Sequence, residues 1–234
     1  MKKISVRSVL YISAAFIFLR WLFQVIRNTF FMDGILDTFN SLSNVFLHAF
    51  FTAILTIFVV TLFLYWSKEK YRDIGFDKQN ILKQIRTGLL FGIAIFILDT
   101  FITSPVLDAL LPQTAAKGID MSKLFINTYY LPVFIFIALF KGGFSEELWR
   151  IFILTRFEKL FGKAGLLLAL LLSSLVFGIG HLYQGMGGMI SAAIIGLLYA
   201  LVYLRKRLAL EAVFAHSTFN LIQIILGYII YSGK

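Results

Sequence analysis

The chain has 234 residues, of which 59% are hydrophobic and 15% charged, against roughly 45–50% apolar and roughly 25% charged in a soluble domain; lipid is the solvent that suits so much apolar surface, because helices there satisfy their own backbone groups. The absence of cysteine excludes disulfides, thiolate nucleophiles and Cys-based metal sites. The net charge of +10 falls in short segments between apolar runs, so it reads as topology and lipid-headgroup contact rather than nucleic-acid binding.

A membrane span needs about 20 predominantly apolar residues. The opening MKKISVRSVLYISAAFIFLRW imitates a signal peptide, but no small-x-small cleavage site follows, so it reads as a retained first span over 9–26. Arg20 in that span is expected to snorkel to the surface or to pair with another helix. A looser amphipathic stretch covers 30–46. Further spans fall at 45–66, where His48 reads as a packing residue, and at 88–104, where Asp99 reads as paired within the bundle or facing an interface. The remaining spans are 127–145, 164–181, 187–204 and 208–231. The segment Lys68–Arg86 reads as a short amphipathic surface helix, and residues 127–181 as a long helical hairpin turning near Phe161–Lys163. Leu182–Gly188 reads as a flexible turn. The expected fold class is an all-α, polytopic bundle of about seven to eight transmembrane helices around a buried polar site. One membrane domain covers 1–234, with a motif-bearing core at about 127–231.

Lys and Arg set the expected orientation. They crowd before the first span, between the second and third, and at Arg150–Lys163 and Arg205–Arg207, whereas the alternate connections hold only Arg27, Lys117 and Lys123. This bias places the N-terminus in the cytoplasm of a multi-pass protein of the cell membrane.

Ionisable groups inside spans cost about 2.5–3.5 kcal/mol each on insertion scales and usually serve function. Three clusters carry them. Glu146 and Glu147 lie four and three residues before Arg150, so either carboxylate reaches the guanidinium on one helix. Consecutive helical residues point about 100° apart, so the other is free to face elsewhere. His181 ends an apolar helix four residues after Phe177. His216 and Asn220, again four apart, share a helix face. Taken singly, each is equally an interfacial ion pair, a core histidine or interhelical hydrogen-bond glue. Taken together they make an inventory for hydrolysis: a base, groups to hold water and donors for an oxyanion.

In their order along the chain, the Glu-Glu…Arg, Phe-x-x-x-His and His-x-x-x-Asn clusters resemble the motifs of the CPBP family, the CAAX-processing and bacteriocin-processing (Abi) intramembrane glutamic or metallo endopeptidases. The family usually places three residues between the second Glu and the Arg; here there are two, Leu148 and Trp149. The resemblance implies that Glu146 activates a water, that His181 helps to hold it, and that His216 and Asn220 stabilise the oxyanion. Glu147, Arg150 and Phe177 would be supporting. The resemblance also implies a peptide or membrane-tethered protein substrate. It leaves open a divalent metal such as zinc, which Glu146, His181 and His216 could hold with one position open. Other readings are a non-proteolytic scaffold or an immunity or regulatory protein of the same fold, and a small transporter, for which no inverted repeat is visible.

Overall fold

The computed structural model describes residues 5–31, 41–111 and 128–231. All regular structure among them is helical, with no strand. Lys117 and Lys123, and most of the amphipathic stretch 30–46, lie outside the described residues.

Among the described residues six helices are long and apolar enough to cross a membrane. They are α1 (Val6–Phe30), α2 (Leu42–Trp66), α3 (Ile81–Leu110), α4 (Leu131–Ile179), α5 (Leu182–Lys206, whose first three residues form a single 3-10 turn) and α6 (Ala209–Tyr231). Serine side chains start two of them: Ser5 Oγ accepts from the Ser8 amide before α1, and Ser41 Oγ from the Asn44 amide before α2. This pairs an amide that the first helical turn leaves without a partner.

The expected spans 127–145 and 164–181 are the two arms of one 49-residue segment, α4, so the six long helices do not confirm the expected count of seven to eight spans. That segment doubles back on itself. Gly162, at φ 62° and ψ −147°, sits in a backbone region essentially confined to glycine. On either side of it the arms run antiparallel: the Arg150 guanidinium lies 4.5 Å from the centre of the Phe177 ring. Measured from this turn, residue 146 is about 24 Å along one arm and residue 181 about 28 Å along the other. The two are therefore nearly level, whereas counting His181 from Lys163 and Glu146 from Arg156 sets them at different depths.

Large apolar side chains such as Phe18, Phe23, Phe51, Phe58, Leu90 and Phe101 are exposed along α1, α2 and α3. An apolar surface of that extent belongs against lipid rather than water. Inside, Leu148, Ile151, Phe152 and Leu154 of α4 are fully buried with Tyr199 of α5 and Ala212 and Ala215 of α6, so α4 forms the core of the bundle.

The end of the bundle near Gly162 is held by ion pairs. Arg156, fully buried, donates to Glu69 and to Ser67 Oγ, and Lys159 also reaches Glu69. Arg207 makes two bonds to Glu158, at 2.8 and 2.7 Å. Burial opposes its charge, but Glu158 outweighs that and holds the guanidinium above its ordinary value. Between α2 and α3 the chain makes only a short 3-10 turn, Tyr71–Ile74. The expected surface helix over Lys68–Arg86 is absent because its second half, from Ile81, is already the first turns of α3. The turn is pinned to the bundle instead: Ile74 is fully buried, and the Ala209 amide donates to the Gly75 carbonyl at 2.8 Å.

Candidate active site

The wall that carries the acids is an unusual piece of α4. Residues Ile137–Glu146 run in π-helical turns before α-helical geometry resumes at Glu147. π-Turns pair residues five apart and concentrate at functional sites. Lys141 Nζ meets Glu146 Oε1 at 2.5 Å across five residues. In an α-helix five residues are about 500° of rotation, so the two side chains would diverge by about 140°. The π register stacks them, and a search for partners three or four residues away misses Lys141.

Gly142, in the same turns, faces α6. A Cβ there would collide with Asn220 Nδ2 and lie 3.6 Å from His216 Nε2. The missing side chain is what lets α6 bring the His216 and Asn220 pair against the acid-bearing wall.

The two glutamates have separate surroundings. Glu147 is fully buried; its Oε1 takes hydrogen bonds from Arg150 and, at 2.8 Å, from His216 Nδ1. Arg150 is buried too, stacked 4.5 Å from the Phe177 centroid and 5.7 Å from that of Tyr199. Two residues between Glu147 and Arg150 therefore suffice for a contact one helical turn long. Glu146 is the accessible acid, with 25% of its side chain exposed. Its Oε2 lies 3.8 Å from His216 Nε2.

Both imidazoles have one nitrogen committed. A carboxylate or a carbonyl only accepts hydrogen bonds. His216 Nδ1 therefore donates to Glu147, and His181 Nδ1 donates to the Phe177 carbonyl at 2.8 Å. In the neutral tautomers these bonds select, each Nε2 is a bare acceptor. The rings are held by aromatic packing. His216 stacks on Tyr199 at 4.4 Å, and Phe177 touches both His181, at 4.6 Å, and His216, at 5.9 Å. Tyr199, fully buried in the apolar run of α5, carries no signal in the sequence that sets it apart from other core aromatics.

A cavity of about 1130 Å³ opens onto this group; Glu146, Phe177, His181, His216 and Asn220 all line it, with Lys141. Arg20, on the same cavity, donates to Thr56 Oγ1 at 3.1 Å and lies over the Trp149 ring, so it pairs with other helices. Asp99 pairs within the bundle, accepting from Ser191 Oγ at 2.5 Å. His48 is not a packing residue: it is exposed and turned to the cavity.

Zinc would need Glu146, His181 and His216 around one point. The arrangement does not fit it. The Lys141 ammonium is paired with Glu146, in the place beside its carboxylate that a metal would take. Among the described residues no group of three His, Cys, Asp or Glu is arranged to hold a metal ion.

The fold and its polar centre thus describe a multi-span helical membrane protein with a polar-lined cavity among its helices. Compared with known families, residues 126–222 match the Rce1-like family, described as type II CAAX prenyl endopeptidase Rce1-like, in agreement with the CPBP resemblance of the three motifs. The match runs from just before α4 to two residues past Asn220, so it contains every motif residue. No curated protein and no solved structure matches the chain.

Proposed function

We propose that the protein is an intramembrane endopeptidase, cleaving a peptide bond in a membrane-associated peptide or protein with a water activated by Glu146. The observation that carries this reading is the 3.8 Å separation of Glu146 Oε2 and His216 Nε2. One water can hydrogen-bond to both atoms at about 2.8 Å each. Donating its two protons to two acceptors, that water turns its lone pairs outward, as a nucleophile must.

The water's O–H bond breaks as Glu146 takes the proton, and its oxygen bonds to the carbonyl carbon. The carbonyl π pair moves onto oxygen. When the tetrahedral species collapses, the C–N bond breaks and Glu146 returns the proton to the departing amine. Asn220 Nδ2 donates to the oxyanion. His181 Nε2, the other bare acceptor on the cavity, is an alternative to His216 Nε2 as the second acceptor for the water. Glu147 and Arg150 fix His216, and Phe177 holds both rings. The His216 proton that could have served the oxyanion is instead committed to Glu147, so His216 acts on the water. No step needs a metal.

The matched family's name supports a prenylated CAAX-type peptide as the substrate class. The basic loops beside the Gly162 end support a cytoplasmic N-terminus by the positive-inside rule. A non-proteolytic scaffold of the same fold is the second reading; the observation that favours it is the Lys141 ion pair masking Glu146.

The experiment is cleavage of a panel of farnesylated and unmodified peptides by the purified protein in liposomes. Glu146→Gln is expected to lower kcat about 10²–10⁴-fold, the range of a lost general base. A chelator is expected to leave the rate unchanged. Equal cleavage by wild type and Glu146→Gln would refute the reading, and a chelator-sensitive rate restored by zinc would refute its metal-free form.

A further inference from the structure

The oxyanion needs hydrogen-bond donors, and the bonds around the site leave few. His181 Nδ1 and His216 Nδ1 both donate away from the cavity, to the Phe177 carbonyl and to Glu147. The Arg150 guanidinium is buried against Glu147, Phe177 and Tyr199. Two donors stand out beside Glu146: Lys141 Nζ on the same helix and Asn220 Nδ2 on α6, packed against Gly142. Lys141 Nζ is held on Glu146, and Asn220 Nδ2 fills the space where a Gly142 side chain would begin, one turn before Glu146 on the same helix. Lys141 is 24% exposed, lines the cavity and has no carboxylate partner but Glu146 among the described residues.

We propose that Lys141 is a catalytic residue whose ammonium, with Asn220, stabilises the oxyanion. This rests on the endopeptidase reading above. The ammonium follows the negative charge. In the resting site that charge is on Glu146, 2.5 Å away. When Glu146 takes the water's proton it becomes neutral, and the charge reappears on the carbonyl oxygen, whose carbon has just bonded to the same water. A lysine on a flexible four-carbon stem can move from one oxygen to the other. On collapse the pair re-forms, as Glu146 gives its proton to the amine. The ion pair that covers the base at rest is then the ground state of the charge transfer. A fixed donor would stabilise substrate and transition state alike, whereas one released only as Glu146 is protonated acts mainly on the transition state.

The test compares Lys141→Met, Lys141→Arg and Glu146→Gln in the liposome assay, reading kcat and KM separately. Lys141→Met is expected to lower kcat about 10²–10³-fold, as the loss of one oxyanion donor does, with KM changed less than about threefold. Lys141→Arg, which keeps a cationic donor on a longer stem, is expected to recover at least about a tenth of the wild-type kcat. A role confined to holding Glu146 in place would not give that split with that rescue. If Glu146→Gln is inactive while Lys141→Met keeps kcat within about threefold of wild type, the inference is wrong and the endopeptidase reading stands. A Lys141→Met variant faster than wild type would also overturn it, since lysine would then only mask the base. If neither Glu146→Gln nor Lys141→Met changes the rate, the endopeptidase reading itself fails. Should Lys141→Met not fold, Lys141→Gln keeps a neutral donor, and a kcat lowered about tenfold or more supports the inference while an unchanged one refutes it.

Discussion

Replacing Arg150 by leucine tests the geometry of the site directly. Glu147 is fully buried and Arg150 3% exposed, and they are joined through Glu147 Oε1. Truncating one partner leaves an uncompensated buried charge, a loss of about 3–5 kcal/mol. The stacking of the guanidinium on Phe177 adds about 0.5–2 kcal/mol. Removing both charges in Glu147→Gln/Arg150→Leu is different. Exchange of a whole buried pair for neutral groups is often neutral, and the carboxamide oxygen introduced at position 147 would still accept from His216 Nδ1. The double variant should therefore be at least about 2 kcal/mol more stable than Arg150→Leu alone. Equilibrium unfolding by SDS in mixed micelles measures each corner of this cycle. A cost below about 1 kcal/mol for Arg150→Leu, the level of an exposed pair, would refute the buried-pair account. So would a double variant whose loss is the sum of the single losses.

Two further substitutions separate site geometry from stability. Gly142→Ala should change kcat more than stability: the new Cβ collides only with the movable end of Asn220, so the carboxamide is displaced and kcat falls about 10²-fold, while unfolding in micelles shifts by less than about 1 kcal/mol. A large stability loss with unchanged kcat would contradict the close approach. Tyr199→Phe removes a buried hydroxyl that has no partner among the described residues, so stability should hold or rise by up to about 1–3 kcal/mol. Tyr199→Ala should cost about 3–5 kcal/mol and free His216 to tilt, with a matching loss of cleavage. Equal effects of Phe and Ala would show that ring packing is not what holds the imidazole.

How much of this was legible in the chain follows from which interactions have a sequence period. Apolar runs of span length located every long helix, because desolvation depends on composition alone. The turn near Phe161–Lys163 was also visible, since only glycine tolerates the conformation that Gly162 adopts. The surface helix expected over Lys68–Arg86 was not borne out, because nothing in its amphipathic pattern says that Ile81 onward already belongs to α3. Lys141 shows the same limit inside the site. Its partner lies five residues away, a spacing that α-helical reasoning discards, and the π-turns of residues 137–146 coincide with the place where α6 packs against Gly142 from far along the chain. The division of labour between the neighbouring glutamates was expected from their angle on the helix. Which of them faces the cavity was decided by His216 and Arg150 closing on Glu147 from two other directions. On the proposed endopeptidase reading the motif residues supply the chemistry, and the tight packing of α6 on the π-turns sets which of their atoms face the cavity.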